Sequence, residues 1–426
     1  MNRILVLLLA VGILPLAVSG QDRDERIADL ERKLAEARNS VAALQKTIEG
    51  LTSEVQMLRQ PGTTSTASIS VLPAPPAPVE DAATAFREQI LRPDLAQDER
   101  ESGLAARPEL FIQSRFQALP ISGGTQQSAP SNFVLTRMES RWSGRISDKI
   151  GMGFEIQYHP APAGAAVELV NDAFVEYYAN DAVTIRTGQF VKPFGFDIQQ
   201  SSSVRESPER GIFAGYLFPG QRDRGLMVTT KLDRLGGFWH GTQLFAGAFN
   251  GNRFFTDNNR QLNYDLRVRK VFDRLPLAIG ASAQLGRQLL PEGTRGNNRE
   301  NLYGVDVQWA WKRLGVRAEF VAGNMPSTLL GLEPEFAPRF SPGAHSAGGS
   351  VFSSFRLAHQ DQVYWRYDQF NRDLVSGQNL RAVNLGYFRY LGEKSRIGLD
   401  YQFKNRVSHN DDLLNTRLQI IWNVMY

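Results

Sequence analysis

Five cations, Lys192, Arg205, Arg210, Arg222 and Arg224, fall in or just beyond the stretch from Val191 to Asp223, where the local acids are Asp197, Glu206, Glu209 and Asp223. Gathered guanidinium and ammonium groups can hold or steer an anion, arginine through a planar fork of donors and lysine as a compact charge. They offer no nucleophile. The chain has no cysteine, which removes thiolate chemistry and disulfides. Its five histidines, His159, His240, His345, His359 and His409, lie scattered without metal-ligand spacing, and none stands in a Ser-His constellation. These residue types fit the handling of small charged solutes, with no catalysis, no cofactor and no metal expected.

Further arginines sit in strict alternation. In VLTRMESRWSGRI, Val134, Met138, Trp142 and Ile146 take one face and Arg137, Glu139, Arg141 and Arg145 the other. YDLRVRKVF sets Tyr264, Leu266, Val268 and Phe272 against Asp265, Arg267 and Arg269, and YGVDVQWAW aligns Tyr303, Val305, Val307, Trp309 and Trp311. A period of two means β-strands with two unlike faces. Soluble sandwich strands run to about five or six residues. These runs reach about nine to thirteen, with aromatic residues near their ends, which is the length and girdle of a transmembrane β-barrel.

Sixteen such runs start near 109, 132, 150, 167, 183, 224, 238, 261, 276, 300, 314, 348, 361, 380, 395 and 413. The connections after even runs are short, as in SDK, NDA and KR, and those after odd runs are mostly long. An outer-membrane barrel has that asymmetry, with tight periplasmic turns and longer outer loops. The expected fold is all-β, a sixteen-stranded antiparallel transmembrane barrel over 109–426 with both ends on the periplasmic side. Its closing strand sets Leu418, Ile420, Trp422, Val424 and Tyr426 toward lipid and Arg417, Gln419 and Asn423 toward the lumen. Arg137, Arg141, Arg186, Arg267, Arg269 and Arg317 are the expected pore lining. In all, twelve cations face ten acids on the lumen side, a weak net field that argues against strict phosphate specificity while leaving room for a local cationic cluster.

The N-terminus differs. Asn2 and Arg3, an apolar run broken by Pro15, and the small pair Ser19 and Gly20 read as a signal peptide over 1–20. Residues 21–60 keep heptad spacing, with Ile27, Leu34, Val41, Ile48 and Val55 at one position and Leu30, Ala37, Leu44, Leu51 and Leu58 at the other. This is the pattern of an α-helical coiled coil, and its seam leans toward a parallel dimer. Residues 61–108, rich in proline and small polar side chains, form a semi-stiff linker. The 48 basic residues are interspersed with 44 acidic ones, which speaks against nucleic acid as partner. Outer-membrane lipid, small solutes or inorganic anions, and a cell-wall or periplasmic partner for the coiled coil are the expected partners. On this last count a tethering role competes with a channel.

Three stretches carry a family resemblance: RTGQFVKPFGFD, QRDRGLMVTT and LFAGAFNGN. They resemble the GQF-K-PFG, R-x-x-GV and GVFNG stretches of the phosphate-selective porin O and P family, and the likeness covers roughly 109–426. It implies a homotrimeric channel in the outer membrane of a Gram-negative-type bacterium, with anions selected by lysine and arginine at a constriction formed by the third loop. In the family the lysine follows GQF directly, whereas here Val191 takes that place and Lys192 comes next. A displacement by one residue in a strand reverses the face.

Overall fold

In the strand Asn263–Val271, Asp265, Arg267 and Arg269 are buried while Tyr264, Leu266 and Val268 are exposed. The same alternation runs round the computed structural model of the chain. The structure describes residues 107–118, 132–159, 167–218, 220–252, 257, 259–272, 274–287, 299–324, 345–357, 360–371, 374, 379–392, 395–405 and 417–425. The expected signal peptide, coiled coil and nearly all of the linker lie outside the described residues, as does Tyr426.

Sixteen strands follow in chain order: β1 (Arg107–Ala118), β2 (Asn132–Ser147), β3 (Ile150–His159), β4 (Val167–Asn180), β5 (Val183–Val191), β6 (Arg222–Lys231), β7 (Thr242–Phe249) and β8 (Asn263–Val271). The second half is β9 (Leu277–Arg287), β10 (Arg299–Trp311), β11 (Leu314–Asn324), β12 (His345–Arg356), β13 (Asp361–Asn371), β14 (Asn379–Tyr390), β15 (Arg396–Asn405) and β16 (Arg417–Met425). Each pairs antiparallel with the next, and β1 pairs with β16 from Phe111↔Met425 to Ala118↔Leu418, so the sheet closes. Closure removes both free edges, which a strand in hydrocarbon could not leave unpaired.

Most strands begin within three residues of the expected positions. Two differ by four: β7 begins at Thr242 and not near 238, and β16 at Arg417 and not near 413. Before β7 the aromatic pair Phe238 and Trp239 looks strand-like in sequence. There Gly236 and Gly237 take positive φ of 63° and 54°, and Asp233–Leu235 and Gly237–Trp239 form two single 3-10 turns instead. Glycine makes that left-handed backbone accessible.

Outward rows such as Leu266, Val305, Phe320, Leu385, Leu399 and Val424 are apolar and exposed, a belt for lipid. Inward rows are polar, and they are covered by the connection between β5 and β6. This third loop folds into the lumen and carries one short helix, α1 (Ile212–Leu217). Its Phe194, Ile198, Phe213 and Phe218 are buried with Leu302 of β10, Val321 of β11 and Phe370 of β13. Tyr216 stacks on Phe370 at 5.1 Å. A fully buried phenylalanine contributes about 1.5–3 kcal/mol, so this apolar underside holds the loop inside the barrel.

Candidate channel constriction

The loop is also gripped by charge. Segment 205–209 crosses the lumen between arginines of widely separated strands. On one side Arg317 of β11 donates to Glu206 at 2.7 Å, Arg366 of β13 donates to Ser207 Oγ at 2.6 Å and to the Glu209 carbonyl, and Arg396 of β15 donates to the Arg205 carbonyl. On the other side the Glu209 carboxylate accepts from Arg115 of β1 at 2.9 Å and from Arg137 of β2 at 2.7 Å. Glu319 of β11 accepts the Phe196 and Asp197 N–H groups at 3.0 and 2.8 Å.

A lateral stack braces two of these arms. The rings of Phe352, Tyr364 and Phe388, on β12, β13 and β14, lie parallel at 5.6 and 5.9 Å spacing. The Arg317 guanidinium caps one end at 4.1 Å and that of Arg396 the other at 4.4 Å. Cation-π attraction at desolvated sites is worth up to about 2 kcal/mol each, enough to fix both side chains before the loop arrives. Arg396 is absent from the sequence-derived pore lining, and its alternation alone does not reveal its partner.

The expected lining divides into two groups. Arg267, Arg269 and Arg317 are buried, Arg267 in a double hydrogen bond to Asp306 at 2.6 and 3.0 Å. Arg137, Arg141 and Arg186 stay partly exposed on β2 and β5. There Arg141 pairs with Glu155 of β3, and Arg186 with Glu176 of β4 at 2.5 Å. At β4 the register passes from Glu155↔Asp172 to Ile156↔Val170, leaving Asn171 as an extra residue. This bulge turns both Asn171 and Asp172 toward the lumen, where Asn171 donates to Glu155 at 2.8 Å.

The five loop cations separate likewise. Lys192 continues the inward row of Arg186, Gly188 and Phe190, but its ammonium is buried and donates to Gln284 of β9 at 2.7 Å. Arg205 is buried and bonds the Ser207 and Pro208 carbonyls of its own loop. Burial pushes its guanidinium well below the ordinary value, with Arg210 and Arg137 adding to the effect and Glu209 and Asp197 opposing it. Burial lowers Arg210 to about 10; Asp197 opposes this, and Arg222 and Arg137 add to it. Arg222 reaches Asp172 at 2.7 Å and Glu155 at 2.9 Å. Arg224, expected beside it at the constriction, lies on the outer face. Asp223 and Met227 are buried on the inner row, Leu226 is exposed on the outer, and Arg224 shares the outer row while bonding Gln189 at 3.0 Å.

Among the described residues, charges within reach of the lumen gather chiefly on β1 to β6 and the facing loop: Arg115, Arg137, Arg141, Arg186, Arg210 and Arg222 against Glu139, Glu155, Asp172, Glu176 and Glu209. Among the described residues no cluster of histidines and carboxylates is arranged to hold a metal.

A closed sixteen-stranded barrel with an apolar outer belt and its third loop folded across a polar lumen is an outer-membrane channel of the porin type. Residues 143–312 match the family model of phosphate-selective porin O and P, which bears out the resemblance read from the sequence. The matched span runs from within β2 to the turn after β10 and includes the whole third loop. Solved structures show the same fold at low identity. OmpF of Salmonella typhi, in complex with daunomycin, is 14% identical with a TM-score of 0.56, covering 75% of this chain and 97% of that one. The anion-selective porin from Comamonas acidovorans is 9% identical at 0.50, covering 76% and 99%. OmpT of Vibrio cholerae in its trimer form is 9% identical at 0.51, covering 75% and 99%. A comparison with curated proteins finds no match.

Proposed function

We propose that the protein is a passive porin for small anionic or polar solutes, inorganic phosphate among them. One observation carries the reading: in three ion pairs of the lumen wall the cation is more exposed to water than its acid. Side-chain exposure is 15% for Arg141 against 1% for Glu155, 20% for Arg186 against 9% for Glu176, and 12% for Arg222 against that same Glu155, whereas Arg222 and its second partner Asp172 are level at 12% and 14%. A balanced count of charges thus presents a cationic surface. Glu209, 26% exposed between Arg115 and Arg137, opposes it from the loop and keeps the preference modest. Guanidinium forks suit phosphate oxygens, and the Comamonas relative is anion-selective by name.

Assembly as a homotrimer, with the N-terminal segment exported behind a signal peptide and forming a periplasmic coiled coil, belongs to the same proposal. The decisive measurement is the reversal potential of single channels in a chloride gradient, repeated with phosphate added on one side. An anion-directed potential and a phosphate-dependent fall in chloride current are expected. A cation-directed potential overturns the reading.

A further inference from the structure

The rim that carries the short turns has one sector unlike the rest. Between β6 and β7, Leu235 and Phe238 are 65% and 71% exposed, and Phe238 meets Trp239 edge-on at 5.6 Å. The Lys270 ammonium, at the end of the outward row of β8, lies 5.4 Å from the rings of both Phe238 and Phe272 and donates to the Phe238 carbonyl at 2.7 Å. Two strands on, Trp309 and Trp311 stack on the outward row of β10 at 6.3 Å, and the Lys312 ammonium stands 4.9 Å over Trp311.

Charge follows the same sector. The three turns joining β6–β7, β8–β9 and β10–β11, with their flanking residues, carry Lys231, Arg234, Lys270, Arg274, Lys312 and Arg313 against Asp233 and Asp273. The two-residue hairpin between β10 and β11 is Lys312-Arg313, and Lys312 adopts φ 52°. Such turns favour asparagine or glycine, which take the left-handed region without penalty. A lysine there gives up backbone ease for a cation placed beside an aromatic ring at the membrane border.

From this juxtaposition we infer that the β6–β11 sector of the periplasmic rim is a binding site for anionic phospholipid headgroups of the inner leaflet. Exposed aromatic rings continuous with the lipid-facing rows settle at the interface, where an apolar body and a polar edge are both satisfied. The ammonium and guanidinium groups beside them stand at headgroup depth, and each cation near such a surface strengthens attachment roughly fivefold. A phosphodiester with a net negative charge fits; phosphatidylethanolamine, neutral overall, lacks the complement.

The full chain, reconstituted in liposomes of phosphatidylethanolamine mixed with phosphatidylglycerol or cardiolipin and gently extracted, tests this by the lipids that remain bound in native mass spectra. Wild type should retain the anionic lipids in preference, and Arg274→Gln/Lys312→Asn/Arg313→Gln should retain them no better than phosphatidylethanolamine. Lys149→Gln/Arg389→Gln, one on the β2–β3 turn and the other near the end of β14 at the same rim, should leave retention unchanged. Equal retention of both lipid classes by wild type overturns the inference even if the triple variant does not fold. A loss in the control equal to that in the triple variant also overturns it, because net charge and not this sector would then be the cause.

Discussion

Arg222→Gln is the substitution that tests the constriction most directly, because Arg224, of the same type and two residues on, supplies its control. Arg222 pairs with Asp172 and shares Glu155 with Arg141 on the lumen wall. Removing one unit charge at ~6 Å from a passing ion in water changes that ion's energy by about 0.7 kcal/mol. Anions lose and cations gain by a factor of about three each, so the anion-to-cation permeability ratio should fall about tenfold at low salt. At physiological ionic strength the screening length is ~8 Å, which cuts the interaction by about half and the change in ratio to about threefold. Arg224→Gln removes the same charge from the outer row, beside exposed Leu226, and should move the ratio by less than twofold. Reversal potentials of single channels under a salt gradient, taken at two ionic strengths, measure both. Equal shifts in the two variants, or a larger shift for Arg224→Gln, would refute the assignment of faces along β6.

Arg267→Gln should leave selectivity nearly unchanged yet destabilise the barrel by about 3–5 kcal/mol, since Asp306 would stay buried without its partner; the temperature at which the folded form is lost on gels measures it. Phe213→Ala removes a fully buried ring from the loop's underside at a cost of about 3–5 kcal/mol, and single channels should become larger and noisier as the loop detaches. Gly188→Ala, within the GQF stretch, should cost about 1–3 kcal/mol in a urea unfolding series, because φ there is 127° and an added Cβ would lie 2.2 Å from the Ala173 carbonyl oxygen. Mass measurement should give three copies both for the full chain and for residues 21–60 alone, and a dimeric isolated segment would remove it as the trimerising element.

Strand positions were legible because alternation is a local property: the inward and outward rows of β2, β8 and β10 can be read from a few residues each. The inward turn of the third loop was expected only from the porin resemblance; its aromatic residues by themselves said no more than that the loop packs on the barrel. What meets the loop was not, because the arms lie 111, 159 and 191 residues from their partners for Arg317, Arg366 and Arg396. Period two also misleads at strand ends. Arg222 and Arg224 share parity, but Gln221 takes φ 58°, and at the first position of β6 the Arg222 side chain swings inward before the alternation sets in. Asp172 keeps the parity of Glu176 and was expected in the lumen, but the bulge that turns Asn171 inside beside it leaves no mark in the sequence.

The grip on segment 205–209 has a consequence for the order in which the molecule is made. Its arms come from β1 and β2 at one end of the chain and from β11, β13 and β15 at the other, while the loop itself joins β5 to β6. Those arms converge only when β16 meets β1, so the loop cannot be gripped from both sides on an open sheet. Until the loop meets β10, β11 and β13, Phe194, Phe213 and Phe218 present an apolar face of the kind that periplasmic chaperones and proteases recognise. The full grip on the loop is then the last event of folding, and a third loop held from both sides certifies that the barrel around it is complete.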